Sequence, residues 1–167
     1  QDEAIPVKPA EHWAFQPVKR PPIPSSRYAH PLDAFLIGDR ESPPQATATA
    51  LLRRVHLDLI GLPPTLAEQE AFAADDRLET VIDALLARPE YGERWARHWL
   101  DVARYADSNG YERDAEKPFV WRYRDYVIEA LNYDKPFNRF IVEQIAGDEL
   151  PEANVESHIA TGFLRLG

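Results

Sequence analysis

Between Tyr91 and Gly110 the chain carries more large aromatic and ionisable side chains than in any other predicted helix. That stretch restricts the fold most. On a 3.6-residue repeat, Trp95, Trp99, Val102 and Ala106 align along one stripe, which Leu100 and Ala103 widen. Arg94, Arg97, His98, Asp101, Arg104 and Asp107 align on the other side at spacings of three and four. The pattern predicts a helix that buries two indoles and presents a ladder of alternating charge. Ser108-Asn-Gly110 is expected to end it, with Asn109 or Gly110 taking the positive φ of a C-cap.

The neighbouring sequence is cut into short pieces. Nine prolines fall within residues 1–44, which forbids long helices and central strands there. An extended arm is expected, strapped across a helical body by Trp13 and Phe15, with Pro31 to Gly38 as a short helix. Residues 45–167 then read as helical. One helix starts after Thr47 and is broken by Gly61-Leu-Pro-Pro64; a capping-box sequence at Thr65 to Glu68 opens the next. Further helices begin near Leu78, at Pro118 and at Pro136, and a last one covers Val155 to Leu166. The core stripe expected of the Pro136 helix is Phe137, Phe140, Ile141 and Ile145. No run alternates apolar and polar residues, so the fold class is all-α: a bundle of several short helices with a proline-rich N-terminal arm.

Composition removes several functions. A net charge of −9 argues against a nucleic-acid partner. The chain has no cysteine, which excludes disulfides, zinc–thiolate sites and covalent haem attachment within it. No apolar run approaches the ~20 residues that span a bilayer. The opening Gln1 and the absence of methionine suggest a processed or excised product, and an apolar end at Leu166 suggests a continuing polypeptide.

The candidate polar site is Arg94, His98, Asp101, Arg104, Asp107 and Asn109. A carboxylate beside an imidazole fixes its tautomer and raises its basicity, as a general base or metal ligand needs. A salt-bridge ladder between helices uses the same residues, and with no second histidine at ligand spacing it is the simpler role. No metal ligand set is assigned; Asp107 to Glu112 has alternating oxygens, but its glycine comes too early for an EF-hand. Trp121, Arg122 and Arg124 are candidate substrate-binding residues: guanidinium binds carboxylate or phosphate, and aromatic faces stack on sugar rings. Pairing with nearby acids and burial in the core are the competing roles.

Several stretches together resemble a known family. They are His12-Trp-Ala-Phe-Gln-Pro17, Leu51 to Thr65 (LLRRVHLDLIGLPPT), Tyr91 to Asp107, Tyr123-Arg-Asp125 and Gln144-Ile-Ala-Gly-Asp148. In that order they are similar to the N-terminal part of the cytochrome-associated domain common in planctomycetes, domain of unknown function 1549. The resemblance implies an exported protein of the periplasm or cell envelope, encoded near glycan-degrading enzymes. It implies haem c in the parent protein, attached downstream of this chain. The expected task is electron transfer or oxidation of an organic or glycan substrate, with the remainder of the protein or a redox partner beside it. The parent would then be a haem-dependent oxidoreductase of which this segment is not the catalytic part. A scaffold or glycan-binding module is the alternative, and a carboxylate hydrolase a third.

Overall fold

A computed structural model describes residues 12–28, 30–38, 40–41, 44–110 and 114–166. The chain divides into two compact units, Gln1–Gln45 and Ala46–Gly167.

In the first unit a 3₁₀ turn, Trp13–Phe15, precedes a proline-rich run without regular secondary structure and then helix α1, Pro31–Leu36. Proline at the first helical position has its φ preset, and His30 caps the helix by accepting the Leu32 N–H at Nδ1 (3.2 Å). Gly38 leaves it with φ +58°. Arg40 then closes the turn: its Nη2 donates to the Leu36 carbonyl (2.8 Å), while its own carbonyl accepts from Tyr28 Oη (2.8 Å). Phe15 is exposed, and its ring meets His12 at 5.9 Å. The Trp13 side chain lies outside the described residues.

The second unit holds α2 (Ala48–Leu59), α3 (Leu66–Ala74), α4 (Leu78–Leu86), α5 (Pro89–Val102), α6 (Trp121–Asn132), α7 (Phe137–Ala146) and α8 (Val155–Ala160). A 3₁₀ turn, Thr161–Arg165, follows. The fold class is all-α; among the described residues the only β feature is an isolated bridge, Ser108 to Glu116. Thr65 and Glu68 form the expected capping box, with the Thr65 N–H on Glu68 Oε2 at 2.6 Å. Helices α2, α3 and α4 close around Leu52, Phe72 and Leu85. The larger core lies where α5 meets α6, with α7 and α8 against it; it is built on Ala96, Tyr123, Tyr126, Val127, Phe140 and Ala160.

Helix α5 departs from the sequence reading in rotation and in length. Its buried line is Gly92, Ala96 and Ala103, with Trp99 and Leu100 packed beside it. Trp95 is 40% exposed and Val102 76% exposed. Hydrophobicity alone selects the largest side chains, but here the axes of α5 and α6 approach so closely that only small residues fit. A Cβ on Gly92 would lie 2.5 Å from the Ile128 carbonyl oxygen. Asn132 stitches the same junction, accepting the Gly92 N–H (2.8 Å) and donating to the Pro89 carbonyl (3.1 Å).

The helix also ends at Val102, well before Gly110. The Tyr105 N–H reaches the Leu100 carbonyl (2.9 Å) and the Arg104 N–H the Asp101 carbonyl (3.1 Å). This is a Schellman closure with Arg104, at φ +58°, in the left-handed position usually given to glycine. An L residue there costs about 1 kcal/mol. Arg104→Gly is therefore expected to raise stability by about 1 kcal/mol, read as a higher urea midpoint at unchanged slope. A lower midpoint would mean that the arginine side chain holds the turn.

Helices α6 and α7 also differ from the sequence reading. Pro118 opens a turn, and α6 begins only at Trp121. In α7 the buried face is Phe140, Glu143 and Gln144, whereas Phe137 and Ile145 are exposed.

Candidate functional site

The early end of α5 disperses the expected charge ladder. His98 stays on the helix, exposed, its ring 5.4 Å from that of Trp95. Asp101 is exposed on the last turn. Arg94 turns the other way: its Cδ would lie 2.9 Å from a Cβ on Gly61, and its buried Nε has no hydrogen-bond partner among the described residues. Arg104 lies in the closing turn, and Asp107 beyond it accepts the Tyr105 hydroxyl at 2.7 Å. Burial, and then Asp107, push the Tyr105 hydroxyl up to about 12. Asn109 spends both its backbone and side-chain N–H groups on the Ala115 carbonyl (3.1 and 3.2 Å), pinning a loop. These six residues do not converge on one point.

The second set behaves differently. The turn before α6 leaves Phe119 and Trp121 exposed, with the Arg122 guanidinium over both rings at 5.3 and 5.6 Å. Arg122 has no ion pair among the described residues. It lines an open groove of about 480 Å³ with Asn154, Val155, His158 and Ile159, at the N-terminal end of α8. Arg124, two residues further along α6, is taken up by Asp125 through Nε and Nη2 (2.9 and 2.8 Å). So Trp121 and Arg122 share a surface, and Arg124 is internally neutralised.

Two buried polar clusters escaped the sequence reading. In one, Trp99 Nε1 donates to Tyr123 Oη (2.8 Å) and to Gln144 Oε1 (3.0 Å), while Tyr123 donates to the same amide oxygen (2.5 Å). Burial pushes the Tyr123 hydroxyl up to about 12, so it remains a donor at neutral pH. In the other, Glu143 accepts from Lys135 Nζ (2.6 Å), Arg139 Nε (2.7 Å) and Tyr126 Oη (2.9 Å). Burial alone would push the Glu143 carboxyl up; those donors outweigh it and hold it below the usual range. Burial first, and then Glu143, push Tyr126 well above an ordinary phenol. The first ties α5, α6 and α7 together, and the second ties α6 to α7 and to the turn between them. The available signal was an adjacent acid and amide, Glu143-Gln144, set inside an otherwise apolar helical face.

The family model described as PSCyt2, a protein of unknown function (DUF1549), matches residues 38–167. The chain belongs to this family. No curated protein and no solved structure is matched. The match covers all of α2 to α8 and the 3₁₀ turn, so both buried clusters and the Arg122 groove lie within the DUF1549 segment.

The haem c that the resemblance implies for the parent protein has no covalent attachment site in this DUF1549 chain. Covalent haem needs cysteines, and there are none. The cleft between α2, α3 and α4, about 260 Å³, falls below the ~300–1,000 Å³ of pockets that enclose drug-sized ligands. The groove at Arg122 is open on its outer side. No helix among the described residues is long and apolar enough to cross a membrane.

Proposed function

We propose that this DUF1549 segment is the recognition part, not the reacting part, of an exported c-type cytochrome-like redox protein. It holds an anionic organic substrate, best matched by an acidic oligosaccharide, while haem is carried downstream in the parent protein. The observation that carries this reading is the Phe119–Trp121–Arg122 surface. Two exposed rings offer flat apolar faces, and an unneutralised guanidinium beside them offers paired donors to a carboxylate or sulfate. Asn154 and His158 add polar groups along the same groove. Neutral buried tyrosines and a fully engaged Glu143 support a non-catalytic role for the interior.

Tryptophan fluorescence of the chain, titrated with an oligouronide and with a neutral cello-oligosaccharide, tests the reading. The oligouronide is expected to bind saturably and the neutral sugar at least tenfold more weakly. Trp121→Ala and Arg122→Ala should each weaken uronide binding at least tenfold, about 1.4 kcal/mol, with the fold intact by circular dichroism. No saturable binding, or equal binding by the variants, removes the recognition role. A full-length protein without a c-type haem absorption band removes the redox setting.

A further inference from the structure

The cleft between α2, α3 and α4 contains an arrangement that the reading above does not use. His56, near the C-terminal end of α2, is only 2% exposed. Its Nδ1 lies 3.0 Å from the Leu52 carbonyl oxygen, which accepts, so Nδ1 carries the proton. The lone pair of the neutral ring is then on Nε2, and His56 lines the cleft. Glu68 Oε1, at 3.6 Å, is its nearest ionisable neighbour, and Nε2 has no hydrogen bond among the described residues. The carboxylate is anchored: Oε2 accepts from the Thr65 N–H and hydroxyl (2.6 and 2.7 Å), and Oε1 accepts from Arg88 Nη1 (3.1 Å). Those Thr65 hydrogen bonds are the main reason that Glu68 ionises below the usual range.

Oε1 and Nε2 each therefore keep an acceptor lone pair, 3.6 Å apart, on residues that both line the cleft. A single group with two N–H bonds can sit about 2.8 Å from both. The charges around them favour a cation. Glu90 takes Arg88 from the outside (2.7 Å) and Asp75 takes Arg77 (2.6 Å), so three carboxylates face two guanidinium groups. The rest of the cleft is apolar, lined by Leu52, Phe72, Val81 and Leu85.

We propose that this cleft binds a primary alkylammonium, its nitrogen bridging His56 Nε2 and Glu68 Oε1 and its short apolar chain lying on Leu52, Phe72, Val81 and Leu85. A carboxylate is repelled by Glu68. An alcohol supplies one donor hydrogen where two are needed.

The test is an NMR titration of the chain at pH 8 with n-butylammonium, and with n-butanol and butyrate as controls. Saturable shifts of the Leu52 and Leu85 methyls and of the His56 ring are expected with the amine. Affinity for the alcohol is expected to be at least tenfold weaker, and butyrate should give no saturable shift. Ala84→Leu and Ala71→Leu, two exposed positions on the cleft wall, fill the space without removing either acceptor. Each is expected to weaken amine binding at least tenfold; having two variants guards against one that misfolds. Absence of saturable shifts, equal shifts with butyrate, or amine binding unchanged in the folded variants overturns the proposal. So does a ¹⁵N spectrum placing a proton on Nε2 in the free protein at pH 8, which would make the contact with Glu68 a plain ion pair.

Discussion

Gly92→Ala is expected to destabilise the chain by about 3 kcal/mol, the upper end of the ordinary cost of overpacking. Helix propensity alone predicts the opposite sign, since alanine is favoured over glycine inside a helix by about 1 kcal/mol. Packing overrides it here. The added Cβ would stand 2.5 Å from the Ile128 carbonyl oxygen and 2.6 Å from Asn132 Oδ1. The first is backbone and cannot swing away; the second is the acceptor of the Gly92 N–H. To admit the methyl group, α5 must move off α6 along their whole contact, loosening Ala96, Val127 and Ala130. Gly162→Ala is the control: its Cβ would meet Tyr123 Cβ at 3.5 Å, an ordinary contact. Urea unfolding should separate the two variants clearly. Equal midpoints would mean that the α5–α6 junction is not as close as described.

Glu143→Ala is expected to cost about 3 kcal/mol, in the range for removing one member of a buried charge cluster. Glu143 is 4% exposed, and its loss strands Lys135, Arg139 and the Tyr126 hydroxyl. Arg139 retains Glu152, and Lys135 retains a longer contact with Glu156 (3.8 Å) and the Tyr126 ring (4.6 Å), so the cost stays at the low end of that range. Glu143→Gln should cost less, because an oxygen acceptor remains. The pH dependence carries the same information. The folded-state pKa of Glu143 lies below its ordinary 4.5. Its contribution is therefore present above pH 4.5 and is lost as pH falls through the folded-state value. The unaltered chain should lose stability on acidification below that point, and Glu143→Ala should lose less. Parallel acid curves for the two would show that the cluster does not hold its proton affinity down.

Much of the helical framework was legible because its boundaries are set by local chemistry. Thr47 caps α2, Thr65 and Glu68 box α3, and prolines stand at the start of α5 and before α7. Those signals need no knowledge of neighbours. The rotation of α5 was not legible: Gly92 and Ala96 look like weak core formers until α6 is brought against them, and the closeness of that approach is a tertiary fact. Its end was hidden because Arg104 occupies a position where glycine is the usual mark. The interior clusters were missed because Glu143 and Gln144 fall outside the apolar stripe expected of their helix and become core residues only as partners of Tyr126 and Tyr123. The aromatic and arginine surface was named in part. Which of its arginines is free depends on Asp125 reaching Arg124 and not Arg122.

A ligand of the proposed class is expected to land on the Phe119–Arg122 surface and the groove beside it. Backbone chemical shifts of the ¹⁵N-labelled chain, followed during addition of an oligouronide, locate it residue by residue. The prediction is a set of saturable shifts confined to Phe119–Arg122 and Asn154–Ile159, with Arg94, His98 and Asp101 unmoved. Shifts centred on His98 and Asp101, or none anywhere, would contradict it.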